Sequence, residues 1–440
     1  MNTSTPAADH YRQVLDRSCS RLAGADLPWM NKLRGSAMER FAARGFPTRR
    51  DEDWKNTDVT ALGAGRFASC LPVVPPVASA YPEIQDAHRL VFVDGGFVSA
   101  AERTQPLPEG VVLTTLAQAL VDDPVGIARW LAKRPERGEH AFFDLNTALM
   151  QDGMVLRVPA GVVLEHPVHL VTVSTGGERA SWLRHIVILE EGAAVELVED
   201  HITVALFDGP DLSDSVLSIS LADEAELLHS RLQRAGKQSH QLGMIHVEQG
   251  ARSVYHLQAL SLGGALGRTE LRVAQRGPEA ETQLAGLSLG LDTQVQDFFT
   301  FVDHLAPGGA SEQAIRAVLA GSARAVFNGR VRVARDAQGI DANQSSRALL
   351  LSEDAVANAR PQLEIYADDV KCTHGSTVGQ VDDEALFYLR QRGLSAQQGR
   401  RLLLEAFTAE LVELFPEGDV REHVQAAVAR WLRVALEGRR

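Results

Sequence analysis

Cysteine is scarce: only Cys19, Cys70 and Cys372 occur in 440 residues. Three thiols so widely spaced exclude a disulfide framework and a self-contained cysteine cluster site, and they point to a reducing, cytoplasmic compartment. No uninterrupted apolar stretch approaches the roughly 20 residues of a bilayer-spanning helix, so no membrane association is expected. The N-terminal MNTSTPAADHYRQVLDR has neither the basic start nor the apolar run of a secretion signal. Positive charge is in deficit: 44 Lys and Arg face 57 Asp and Glu, leaving a net charge of −13. That is the wrong sign for a nucleic-acid partner. No GxxxxGK[ST] loop is present, so no ATP site is expected, and G-x-G-x-x-G and H-E-x-x-H are missing too. Gly286-Leu-Ser288-Leu-Gly290 matches G-x-S-x-G, a pattern that makes a nucleophile only on a strand–turn–helix elbow. Its flanks, ETQLA and LDTQVQDFFTFV, both have strand character, which removes Ser288 as a nucleophile.

What is present is a chain 45% hydrophobic and 23% charged, enough for a large buried core. Residues 8–44 carry helical spacing, with Tyr11, Val14, Leu15 and Leu22 on one face and Leu33, Ala37 and Phe41 following Pro28. Gly45 and Pro47 end it. The charged RRDEDWKNTDVTAL, with Trp54, leads to LPVVPPVASAYP, which has the composition of a linker. RLVFVDGGFV predicts a hairpin turning at Asp94-Gly95-Gly96, and a short helix is expected around 123–133.

From about 154 to 370 short Val-, Leu- and Ile-rich runs recur, among them MVLRV, HIVIL, AVELV and VLSISL. A turn, a small residue and a strand repeat at EEGAAVELV, DEAELLH, EQGARSVYHL, RGPEAETQL and GGASEQAI. Marked by Gly192, Glu224, Gly250, Gly277 and Gly309, the steps are 32, 26, 27 and 32 residues. A period too short for helices between strands predicts a stacked β-solenoid, with a jelly roll or double sandwich as the alternative. Gly321 falls out of phase. Beyond Gly379 helical spacing returns: Ser395 and Gln398 suggest a capping box. Leu402, Leu403, Phe407, Leu411 and Leu414 then form a stripe, Pro416 and Gly418 break it, and a last helix over 420–437 aligns Val424, Val428, Trp431 and Leu432. Such stripes serve core packing or the docking of a partner subunit.

The chemistry concentrates in DDVKCTHGSTVG, residues 368–379. In an extended strand Cys372 and His374 share a face, which sets thiol beside imidazole and suits a soft or borderline metal ion or an iron–sulfur species. The competing reading is a small buried thiol. Lys371 and a protonated His374 are expected to lower the thiol pKa. Two ligands do not close a site. Nine of the fourteen histidines lie between His166 and His304. His166 and His169 share no strand face, and His240, His246 and His256, without a nearby cysteine, are expected to be surface or internally satisfied residues.

The run NGRVRVARDAQGIDANQSSRALLLSEDAVANARPQLEIYADDVKCTHGSTVGQVDDEALFYLRQRG, within a segment from about 323 to 415, resembles the C-terminal half of the SufB/SufD family of the SUF iron–sulfur cluster assembly system. DEDWKNTDVTAL resembles the family's tryptophan-bearing segment, and the KC-x-HG form resembles the SufD branch rather than SufB. Ser376 stands where that branch commonly has alanine. The resemblance implies a mainly β chain with a right-handed parallel β-helix core flanked by helical regions. It divides the chain into an N-terminal helical region and linker at 1–85, a mixed segment at 86–150, the β-helix at 151–380 and a C-terminal helical domain at 381–440. It further implies a non-catalytic subunit of a SufB–SufC–SufD scaffold, paired with SufB through the β-helix and with the SufC ATPase through the C-terminal helices. Phe387, Tyr388, Leu389, Leu403 and Phe407 are the expected SufC contacts. Cys372 and His374 become candidate ligands for iron or a transient, nascent cluster at the SufB interface. Any reduced flavin is expected on the assembled complex, since no flavin fingerprint occurs here. Two alternatives remain at this point: a homodimer acting outside the complex, and a polysaccharide-acting β-helix enzyme, a reading weakened by the missing secretion signal.

Overall fold

The computed structural model describes residues 6–69, 82–100, 106–135 and 140–437. Residues 71–81 of the linker-like stretch, and Cys70, lie outside them. From residue 154 on, successive strands alternate between two ten-stranded sheets, and each pairs in parallel with the next strand but one. The result is a parallel β-solenoid of about eight turns with helices at both ends, so the sandwich alternatives fall. Along one sheet the register passes from Glu226 to Val254, Glu281 and Ala310, steps of 28, 27 and 29 residues.

The strand alternation is what fills the lumen. Val187, Ile219, Val247, Val273, Val302 and Val331 occupy one register column and are all buried inside. β-branched side chains suit a pleated surface, and each buried one contributes about 1.5–3 kcal/mol. The corners are tight enough to require left-handed backbone. Gly192, Glu224, Arg252, Glu279, Gly308 and Gly339 all have positive φ along one edge. Their N–H groups donate to Asp223, Ala251, Pro278, Pro307, Gln338 and Asp369 carbonyls, each on the following turn. Gly321 and Asp292 belong to the opposite edge, where Ser322 N–H donates to the Asp292 carbonyl. That is why Gly321 is out of phase.

The hairpin forms from His88–Val93 and Gly96–Ala100, with Asp94 and Gly95 at φ 46° and 84° as a two-residue twisted turn requires. Its first strand joins the second sheet, so the sheets draw strands from the 86–150 segment as well. The N-terminal helices are Pro6–Ser18 and Pro28–Arg44, the latter with proline in its first turn and Gly45 (φ 76°) at its end. Pro124–Ala132 matches the expected short helix. Ala141–Leu149 was not foreseen: all nine of its residues are buried, so it has no polar face to reveal a period. Trp54 lies beside it, with the Arg268 guanidinium 3.8 Å from its ring centre.

At the other end, Asp383–Gln391, Ala396–Val412 and Asp419–Glu437 follow, and the Ser395–Gln398 capping box is present. They cover the outer face of the second sheet, where Val198, Leu232, Leu260, Leu287 and Val318 meet Leu404, Leu411, Phe415, Val428 and Trp431. The expected stripe is therefore rotated. Leu404, Thr408, Leu411 and Val412 face the sheet, whereas Leu402 and Leu414 are exposed. Ser288 sits within the strand Glu281–Gly290, buried and on no elbow. No described helix is long and apolar enough to cross a membrane.

One layer of the lumen is ionic. Glu199 and Arg231 are register partners, both fully buried and hydrogen-bonded to each other. Arg231 Nη1 also lies 2.7 Å from His201 Nε2, and His229 Nδ1 lies 3.1 Å from the Tyr255 hydroxyl. The guanidinium crosses to the opposite sheet at Gly243, where a Cβ would stand 2.2 Å from Nη2. Burial alone would raise the Glu199 carboxyl, but Arg231, with His201 and His229, holds it well below the usual carboxylate range. Removing one partner of such a pair strands a buried charge. Arg231→Met is expected to lower unfolding stability by about 3–5 kcal/mol, and Glu199→Leu in the same chain to recover most of it. Denaturant melts of the two single variants and the double check this, and additive losses would contradict it.

Candidate functional site at the open end of the solenoid

The two ends of the stack are finished differently. At the start, Gly96–Ala100 and Val112–Thr115 close the sheets by antiparallel pairing. At the far end, Val356–Ile365 pairs only with Arg324–Val333, and Val370–Gly379 only with Ile340–Leu350. Among the described residues nothing pairs with the outer edges of these two last strands. An unpaired edge offers a row of N–H and C=O groups to another chain.

Cys372 and His374 sit on that last strand, in register with Ala342 and Gln344. In the strand below, Ile340, Ala342, Gln344, Ser346 and Ala348 are buried and alternate with exposed or half-buried neighbours. The shared register sets Cys372 and His374 on the lumen side of the final turn, side by side as their spacing requires. Cys372 is half-buried and packs against the solenoid core, while His374 is exposed. Thr373 faces outward, its Oγ1 donating to Asn343 Oδ1 at 2.8 Å.

The expectation of an acidified thiol is overturned. Burial, then the Asp341 carboxylate, push the Cys372 thiol above its ordinary value, against a smaller opposing hydrogen bond with the Ala342 backbone. Lys371 is in register with that same Asp341 and, by strand alternation, projects from the face opposite the thiol. The sequence put the cation next to the cysteine, and the pleat takes it away.

Among the described residues no group of three or more His, Cys, Asp or Glu side chains could hold a metal ion. Cys372 and His374 are thus a pair of donors at an unfinished edge. Cys19 is exposed in the N-terminal region, its Sγ 3.5 Å from the Asp16 carbonyl. Of the interior histidines, His240 lies 3.3 Å from the Asp211 carbonyl and His256 3.2 Å from Glu281, as expected. His246 differs: its Nε2 is buried without a partner, and burial, then Arg272, pull its pKa down to about 3. The Glu199–Arg231 layer was missed altogether, because its members lie 32 residues apart and only the register joins them.

On the C-terminal helices, Phe387 and Tyr388 are 62% and 57% exposed, and the Arg392 guanidinium stacks 3.8 Å from the Tyr388 ring centre. Leu389 and Leu403 are half-buried. Phe407 is a packing residue: Arg316 lies over its ring and donates to its carbonyl. Phe387 also lines a shallow cavity with Arg390, Leu394 and Gln398 between the first two of these helices.

With this geometry in view, the chain was compared with known proteins. Residues 171–407 match the family model described as SUF system FeS cluster assembly, SufBD core domain, and residues 5–170 match the SufBD protein N-terminal region. The chain is 31% identical over 433 residues to an iron-sulfur cluster assembly SufBD family protein of Synechocystis sp., covering 96% of this chain and 95% of that one. It is 30% identical over 400 residues to iron-sulfur cluster assembly protein SufD of Escherichia coli, covering 90% and 91%. To SufD of Bacillus subtilis it is 25% identical over 419 residues, covering 91% and 94%.

The thiol environment has a direct consequence. In the metal-free chain with Cys19 and Cys70 replaced by serine, alkylation of Cys372 should keep accelerating with pH beyond the point, near about 8.5, where an ordinary thiol is half ionised. Asp341→Asn removes one cause of the shift and should move the rate profile to lower pH. A wild-type profile centred below that of free cysteine would contradict the assignment.

Proposed function

The chain belongs to the SufBD family of iron–sulfur cluster assembly proteins, and from that membership we propose that it is the non-catalytic SufD subunit of a SufB–SufC–SufD scaffold. The observation that carries the reading is a thiol–imidazole pair facing the lumen at an unpaired solenoid edge. In this reading a SufB solenoid continues the stack across that edge. Its side chains add the donors that Cys372 and His374 lack, and iron or a nascent cluster is the cargo held at the seam. A metal takes a cysteine as thiolate and a histidine as the neutral ring. The raised thiol therefore has to release its proton on loading, and loading favours higher pH.

SufC docks in this reading on the exposed Phe387 and Tyr388, and its ATP-driven motion moves the C-terminal helices. Leu389, Leu403 and Phe407, less exposed, hold those helices in place. A homodimer through the same edge is the competing assembly.

Two measurements test the reading. Co-expressed with SufB and SufC, Cys372→Ala and His374→Ala should each leave a complex of normal size whose iron content falls several-fold. Normal iron with an intact complex would remove the site assignment. Phe387→Asp with Tyr388→Asp should weaken SufC retention at least about tenfold, as expected for exposed aromatic anchors, while SufB retention stays unchanged. Undiminished SufC retention would remove the docking assignment, and recovery of the wild-type chain only as a homodimer would favour the competing assembly.

A further inference from the structure

One turn below the open strand, the lumen contains an amide with nothing to bond. Gln344 is 1% exposed, and neither its Oε1 nor its Nε2 has a hydrogen-bond partner among the described residues. Buried polar groups are ordinarily satisfied, so this carboxamide is out of place as packing.

The register explains how it came to be alone. Two turns below the open strand, Thr300 Oγ1 donates to Gln313 Oε1 at 2.6 Å across the lumen. Moving up one turn carries Gln313 onto Gln344 and Thr300 onto Gly329. The hydroxyl that satisfies the lower amide is replaced by a hydrogen atom. The Phe327 ring fills the space beside it, 2.4 Å from where a Gly329 Cβ would stand. One further turn up, Gln344 is in register with His374. Adjacent parallel strands are about 4.8 Å apart, which brings the Gln344 carboxamide within side-chain reach of the imidazole above it.

We infer that Gln344 is a positioning residue for His374: its Oε1 accepts the N–H of whichever ring nitrogen does not bind the metal. A ligating imidazole needs such an acceptor to fix its tautomer and its ring plane. The inference rests on the reading of Cys372 and His374 as iron ligands and adds to them a residue that itself touches no metal.

Gln344→Met keeps the length and shape of the side chain and deletes the acceptor. Gln344→Glu retains an acceptor oxygen at the same place. Ferrous-iron affinity is measured by chelator competition on the complex purified with SufB and SufC, with the thermal midpoint recorded beside it. The expected result is an affinity about 10- to 100-fold lower for Gln344→Met, the usual effect of losing such a partner, at an unchanged or higher midpoint, with Gln344→Glu restoring most of the affinity. If Gln344→Met binds iron like wild type while His374→Ala does not, the inference falls and the site reading stands. If His374→Ala and Cys372→Ala also bind like wild type, both fall. A midpoint that drops together with affinity, without rescue by Gln344→Glu, would make Gln344 a packing residue and overturn the inference.

Discussion

A strand in a parallel stack hydrogen-bonds along both edges, and the last strand of any finite stack has a neighbour on only one. Everything distinctive about this molecule follows from how that shortage is handled at its two ends. At the first turn the chain reverses direction in two places, so antiparallel strands cover the edges. At the last turn no such cover exists among the described residues, and Val370–Gly379 is left mostly exposed. Monomeric proteins usually blunt an edge of this length with bulges, prolines or inward-pointing charges. Here the chain places a thiol and an imidazole on the inner side of the edge instead. An incomplete ligand pair and an incomplete sheet coincide at one strand, and a single partner edge would complete both.

The lumen behind that edge is not uniform. Columns such as Val187 to Val331 are aliphatic throughout and supply cohesion, whereas the Glu199–Arg231 layer and the Thr300–Gln313 pair are polar. A solenoid tolerates such layers because each turn contacts only its neighbours, so a costly layer does not have to be compatible with the whole core. Arg231 makes the limit visible: its guanidinium fits only because the facing residue is Gly243. The lower layers satisfy most of their bonds internally. Gln344, one turn from the opening, does not, which is the gradient expected if the internal chemistry turns outward toward a partner.

How much of this is legible in the sequence depends on how far apart the cooperating residues lie. Corner residues announce the repeat because a left-handed turn favours glycine, and Gly192 and its successors recur at one edge while Gly321 reports the other. The Cys372–His374 pair is equally readable, since strand alternation fixes a two-residue relation without any tertiary knowledge. Relations across turns are not readable. Asp341 raises the Cys372 thiol from thirty residues away, and nothing in the local sequence shows it, so the nearest cation, Lys371, gives the wrong sign. The helix Ala141–Leu149 is hidden for the opposite reason: buried all round, it loses the contrast between faces that periodicity needs.

The placement of the C-terminal helices carries the argument one step further. They pack on the outer face of the sheet that ends in Val370–Gly379, and only Gln380, Val381 and Asp382 separate that strand from the helix bearing Phe387 and Tyr388. Asp382 caps the helix, its Oδ1 accepting from Glu384 N–H, so the connection is short and tied at its far end. A long linker would absorb a displacement of the helix, and three residues cannot. Under the proposed function, a force applied by a docked ATPase reaches the edge strand directly. It acts five residues past His374, on a strand held along one side only. Strands deeper in the stack, bonded on both sides, would resist the same pull, so the motion concentrates where the cargo is held.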